Sequence, residues 1–190
     1  MSMHKAPGGP AWKRLAVVDP SHAQLATHAD QRVAQALRVA ATIGRMIWLL
    51  RHGDAEDQGP DDDARRLTPR GEQEARAAAG ALVALEVQVD ACLSSPKVRA
   101  FDTARAVCTE LGVAVEEIEA LRGGDFDPEE LAAGHGDVLL VGHEPDLSRA
   151  IQAATGARVE LNKGGLAAIE HGSLITLLRP AQLRAIASGR

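Results

Sequence analysis

The sequence predicts an α/β domain built on a largely parallel sheet. Short continuous apolar runs such as "MIWLL" and "DVLLVGH" have the length and composition of strands buried on both faces. Longer segments carrying helix start and stop signals lie between them. The two kinds alternate along most of the chain, the order expected of βαβ units.

Each element has its own justification. "MIWLL", from Met46, is the first strand. "LTPRGEQEARAAAGALVAL" is a helix with Thr68 as N-cap, Pro69 in its first turn, and Glu72 and Glu74 near its positive end. "VDACLSS" is a second strand, after which Pro96 opens a helix through "KVRAFDTARAVCTEL" that stops at Gly112. "VAVEEIE" is a third strand, "DPEELAAG" a short helix capped by Asp127, and "DVLLVGH" a fourth strand. "PDLSRAIQAATG" is a helix ended by Gly156. "GLAAIEHGSLITLLRP" reads as two strands turning at His171-Gly172, and "AQLRAIA" as a closing helix. No repeat or long linker interrupts residues 46–190, which read as one domain.

Residues 1–45 read as an N-terminal extension. Its start is rich in Pro and Gly and is expected to be disordered. A helix is expected from Ser21 to Ile43, stopped by Gly44. This helix is a loosely attached appendage or a partner-binding element, and Met46 is expected to open the domain and could itself start a protein.

Composition removes several functions. The net charge is −5 without a basic block, Tyr is absent and Phe and Trp are scarce, so nucleic acid is not an expected partner. No apolar run approaches the about 20 residues of a membrane span. The N-terminus lacks the apolar core of a secretion signal, so a cytoplasmic location is expected. Cys92 and Cys108 stand apart in apolar segments and read as buried small hydrophobes of a reducing compartment.

In an open α/β sheet, ligands bind beyond the carboxyl ends of the strands. Arg51, His52 and Gly53 follow the first strand there; Ser94, Ser95 and Pro96 follow the second, with Arg99 just inside the next helix. Gly142, His143 and Glu144 follow the fourth. Two arginines beside a helix start make an anion site, most naturally for phosphate. His52 is the candidate nucleophile, because neutral imidazole is nucleophilic near pH 7 and neighbouring arginines disfavour its protonated form. Gly53 is expected to let the backbone pack close to the phosphate. A metal held by His52, Asp54 and His143 is disfavoured by the two arginines and by the lack of a metal-ligand spacing. No P-loop motif is present, and Asp61-Asp62-Asp63 reads as a solvated loop. His4, His22, His28, His135 and His171 are given structural roles.

"LLRHGDAED", "LTPRGEQEA", "LSSPKVRAFDTA" and "VLLVGHEPDLS", in this order, resemble the histidine phosphatase superfamily, and within it the SixA-type phosphohistidine phosphatases. The resemblance covers Met46 to about Ile186. It implies a three-layer α/β/α sandwich of the phosphoglycerate-mutase-like kind and a reaction without cofactor or metal. His52 is then the nucleophile, Arg51 and Arg99 the phosphate clamp, with Gly53 beside it, and His143 the second histidine on the phosphoryl group. Many members place a glutamate general acid after the third strand. The matching position here is Gly123, and Glu119 fits the spacing poorly, which leaves Asp54, Glu144 and Asp125 as candidates. A site lacking a strong acid suits an easily released imidazole, so the expected substrate is phosphohistidine on a partner protein admitted by short loops. A small phosphorylated metabolite or nucleotide is the second reading, and a non-catalytic phosphate-recognition module the third.

Overall fold

Strand and helix alternate as far as Thr155, after which two strands follow one another directly. A computed structural model describes residues 44–189. Its strands are β1 (Ile47–Arg51), β2 (Ala91–Ser94), β3 (Val115–Glu117), β4 (Val138–Gly142), β5 (Leu166–Glu170) and β6 (Ser173–Leu178). Its helices are α1 (Pro69–Ala84), α2 (Val98–Leu111), α3 (Pro128–Leu131), α4 (Asp146–Thr155) and α5 (Pro180–Ala187). The extension expected over residues 1–45, with its helix from Ser21 to Ile43, lies outside the described residues except for Gly44 and Arg45.

The expected end signals do their work. Thr68 caps α1 by accepting the Gly71 N–H at 3.1 Å, with Pro69 as the first helical residue. Gly112 and Gly156 end α2 and α4 in the left-handed conformation. α2 begins at Val98 rather than Pro96, because the Lys97 carbonyl receives the first helical N–H groups and Lys97 is therefore the N-cap. His171 and Gly172, with φ of 48° and 70°, make the tight turn between β5 and β6.

The strands form one sheet in the order β3-β2-β4-β1-β5-β6. β3, β2, β4 and β1 run parallel, while β5 and β6 form an antiparallel hairpin along β1. β1 is thus interior, and Ile47, Leu49 and Leu50 are fully buried. Side chains alternate across a strand, so one strand feeds two cores. Leu50, Leu139 and Val141 pack with Ala78, Leu82, Val107 and Leu183 of α1, α2 and α5. Ile47, Leu49 and Leu140 pack on the other face with Leu121, Leu147 and Ile151. Helices on both faces make the layered α/β/α arrangement. Cys92 and Cys108 are buried in the first of these cores, as expected of small hydrophobes.

This topology gathers the carboxyl ends of β1, β2 and β4 at one edge, together with the start of antiparallel β5. The Arg51 N–H donates to Gly165 O at 3.0 Å, and the His52 N–H to Gly142 O at 3.1 Å. The loop leaving β1 then lies directly on the first turn of α1. A Cβ added at Gly71 would stand 1.9 Å from Asp54 O, and one added at Gly53 would stand 2.4 Å from Gly71 O. Both glycines are therefore required by backbone packing against backbone.

Replacing Gly71 by Ala forces this loop off α1. We expect a destabilisation of about 1–3 kcal/mol, the range for overpacking a filled interior, read by urea unfolding. Unchanged stability would mean that the two backbones separate without cost.

Candidate active site

His52 follows β1 and is 7% exposed. Its Nδ1 lies 2.7 Å from the Gly53 carbonyl oxygen. A carbonyl only accepts, so Nδ1 carries the proton and Nε2 carries the lone pair. Gly53 is held in turn by α2, because its N–H donates to Thr103 Oγ1 at 3.1 Å and Thr103 donates to Arg99 O at 2.8 Å. Glu74, buried in α1, accepts the Asp54 N–H at 2.9 Å and pairs with Arg70 at 3.0 Å. Three elements thus fix the orientation of the imidazole.

His143 follows β4, with its ring centroid 5.0 Å from that of His52. Its Nε2 lies 2.8 Å from Ser95 Oγ, which also accepts the Lys97 N–H at 3.3 Å. The hydroxyl both donates and accepts, so this contact fits either neutral tautomer of His143. The buried Nδ1 of that ring has no partner among the described residues. Arg51 donates to Leu161 O at 2.7 Å, and its Nε is buried without a partner. Arg99, 4% exposed, donates to Asp62 O at 2.6 Å and to Asp62 Oδ2 at 3.2 Å, and its Nε also lacks a partner. The edge therefore holds two nearly buried imidazoles and two guanidiniums with unused donors.

Burial is the largest influence on both rings. It lowers the His52 pKa to about 4, with Arg99, Arg51 and Lys163 adding to the effect, and it lowers His143 to about 3, with His52, Arg99 and Lys97 contributing. Both rings are neutral at neutral pH. Burial also lowers the Arg51 pKa, opposed by Glu144, Glu160 and Glu74.

Several expectations require correction. Gly53 faces Gly71, and its N–H is taken by Thr103, so it offers no donor to phosphate. Asp54 Oδ1 pairs with Lys163 at 2.7 Å, and its Oδ2 accepts from Thr68 at 2.9 Å. The Lys163 contact holds its carboxyl below the usual range, so Asp54 is an ionised anchor and a poor proton donor. Glu144 accepts from Ser148 Oγ at 2.6 Å and from the Leu161 N–H at 3.0 Å. Asp125 is exposed and pairs with Arg149 at 2.9 Å. Glu119 is held by Arg122, which lowers its pKa. The Asp61-Asp62-Asp63 loop is not merely solvated: Asp62 pairs with Lys97, Arg65 and Arg99, and Asp63 with Arg122. It closes on Arg99, so the site is more covered than short loops suggested. Among the described residues, no three His, Cys, Asp or Glu side chains are grouped to hold a metal ion, and no helix is long and apolar enough to cross a membrane.

Lys97, Lys163, Ser95, Asp62, Thr103 and Glu74 are functional neighbours that the sequence analysis did not assign. Ser95 and Thr103 lie inside the motif around Arg99 and could have been found there. Lys163 precedes β5, whose start reaches this edge because the strand is antiparallel.

Known proteins resemble this chain in sequence and in fold. The sequence profile of the histidine phosphatase superfamily (branch 1) matches residues 47–130. A solved structure described as the putative phosphohistidine phosphatase SixA from Agrobacterium tumefaciens superposes with a TM-score of 0.64 at 25% identity, covering 72% of this chain and 98% of that one. An uncharacterized protein of Picosynechococcus is 32% identical over 142 residues, 67% of this chain and 86% of that protein. The mitochondrial serine/threonine-protein phosphatase Pgam5 of Drosophila pseudoobscura pseudoobscura is 29% identical over 122 residues, 63% of this chain. The chain spans only 42% of that fly protein's length.

Two outcomes are expected. Unfolded histidines take up protons near pH 6.5, whereas the folded rings do so near 4 and 3, so the unfolded state binds more protons and stability falls as pH drops from about 6.5 towards 4. Urea unfolding at several pH values should show a shallower fall for a His52→Gln/His143→Gln variant, and an equal fall would sink the assignment. Ser95→Ala frees the His143 ring and should lower kcat/KM about tenfold, the worth of one hydrogen bond, and should lower unfolding stability by about 1–3 kcal/mol because His143 Nε2 loses its buried partner.

Proposed function

The chain belongs to the histidine phosphatase superfamily, and from that premise we propose that it is a phosphatase acting through a phosphohistidine intermediate on His52, with phosphohistidine in a partner protein as its substrate. The observation that carries the substrate assignment is the state of the carboxyl groups. Each candidate acid is held as an acceptor: Asp54 by Lys163, Glu144 by Ser148 and Leu161, Asp125 by Arg149 and Glu119 by Arg122.

The chemistry follows from the His52 tautomer. The Nε2 lone pair attacks phosphorus in line as the bond to the leaving group breaks. Nδ1 keeps its proton on the Gly53 carbonyl, so the phosphorylated ring is cationic. Water then attacks phosphorus, and His52 departs as neutral imidazole without needing another proton. Arg51 and Arg99 supply donors to the equatorial oxygens, over which the charge is spread in the transition state, and His143 supplies a further one from the tautomer protonated on Nδ1. The first step makes the demand on substrate. Protonated phosphohistidine also releases neutral imidazole, of pKa about 6.5, whereas an alkoxide leaving group requires an acid. The Agrobacterium neighbour, described as a putative phosphohistidine phosphatase, points the same way.

The second reading is a phosphoester substrate, either a small phosphorylated metabolite or nucleotide, or a serine or threonine phosphoprotein. The name of the Drosophila relative favours the latter. A proton donor would then have to come from the substrate or from water.

Trapping tests both readings. The protein is mixed with ³²P-labelled phosphohistidine peptide, quenched in base and assayed for acid-labile label, with a phosphoserine peptide and EDTA as parallel arms. We expect label on the wild type, none on His52→Ala, no effect of EDTA, and kcat/KM at least about 100-fold higher for phosphohistidine, the lower range of an acid's contribution. Label retained by His52→Ala removes the nucleophile, and equal rates on the two peptides remove the substrate assignment.

A further inference from the structure

Arg51 is the least buried of the four core residues, and it lines a surface cleft of about 590 Å³ that opens beside the start of α5. Arg70, Lys163, Arg179 and Arg184 line the same cleft, with Asp54 the one acidic group on its wall. Lys163 pairs with Asp54 and Arg70 with the buried Glu74. Arg51, Arg179 and Arg184 make no ion pair among the described residues. Elsewhere Arg65, Arg76, Arg105, Arg122 and Arg149 each have a carboxylate partner, and Arg66 and Arg158, which make no ion pair among the described residues, do not line this cleft. The whole chain carries a net charge of −5, so this concentration of unpaired cations is local and runs against the average.

We propose that this cleft binds an acidic stretch of the polypeptide that carries the phosphorylated residue, beside the phosphate held by Arg51. The inference rests on the phosphoprotein reading given above and adds the charge of the partner. Guanidiniums suit carboxylates through paired N–H donors. Arg179 and Arg184 are exposed, so their attraction acts on encounter and on KM, and salt screens it. A polypeptide rather than a small polyanion is chosen because the cations are spread from Arg51 at the end of β1 to Arg184 inside α5. A single phosphate group fits any one of these contacts but leaves the others unused.

The test compares two phosphohistidine peptides of equal length, one flanked by Asp and Glu, the other by Ser and Gln. Wild-type protein should show a KM about tenfold lower for the acidic peptide at low ionic strength, a gap that narrows with salt. Arg179→Glu/Arg184→Glu should erase the gap while turnover of free phosphohistidine stays unchanged, and Arg179→Gln/Arg184→Gln should reduce it. In parallel, fluorescence anisotropy reads binding of the unphosphorylated acidic peptide in the presence of inorganic phosphate, with pyrophosphate as competitor. Equal KM values in the wild type, or a gap that survives in both variants, overturns the proposal. Pyrophosphate binding without peptide binding overturns the choice of a polypeptide. Should phosphohistidine not be turned over at all, the proposed reaction fails and the anisotropy alone decides the cleft.

Discussion

The arrangement depends on one hydrogen bond, from His52 Nδ1 to the Gly53 carbonyl at 2.7 Å. It decides which ring nitrogen carries the lone pair. It also ties the ring to the backbone path of the β1–α1 loop. That path is set by packing. Gly53 meets Gly71 backbone to backbone, Thr103 accepts the Gly53 N–H, and Glu74 accepts the next N–H, from Asp54. α1 and α2, successive helices on either side of β2, thus converge on two adjacent peptide units. A buried carboxylate such as Glu74 is costly unless its lone pairs are filled. Here they are filled by Arg70 and the loop it holds.

The electrostatics follow from the same burial. Two imidazoles under a covering loop, with Arg51, Arg99, Lys97 and Lys163 around them, cannot readily hold protons. A dianion entering this environment relieves the repulsion among the cations and engages the N–H groups that otherwise lack partners. The same entry would raise the affinity of both rings for protons. Asp62 already occupies part of Arg99. Arg99 retains its Nε–H and further N–H donors, so Asp62 orients the guanidinium without exhausting it.

Much of this was legible in the sequence, and the remainder was hidden for identifiable reasons. Apolar runs and end signals located the strands and helices, and the rule that ligands sit at strand carboxyl ends brought Arg51, His52, Arg99 and His143 to one edge. That rule concerns parallel strands. β5 runs the other way, so Lys163 at its start was missed, and with it the partner that turns Asp54 into an anchor. Asp61-Asp62-Asp63 was read as solvated because like-charge runs usually are. Their partners Lys97, Arg99 and Arg122 come from other segments, and pairing across such distances leaves no local pattern. Gly53 was read as making room for phosphate, whereas the close neighbour that requires a glycine there is the Gly71 backbone, brought in by the tertiary path.

The occupied carboxylates and the basic cleft bear on the same question from opposite sides. A site whose neighbouring carboxylates are held as acceptors favours a leaving group that departs well unaided, which limits the chemistry of the bond broken. Such a site discriminates weakly by chemistry among substrates sharing that leaving group, because every phosphohistidine releases the same imidazole. Selectivity must then come from groups that touch other parts of the substrate. Arg179 and Arg184 stand away from the reacting atoms, on an exposed rim, without partners among the described residues. A chain that is acidic overall repels acidic partners on most of its surface, so concentrating free cations beside Arg51 turns approach into orientation.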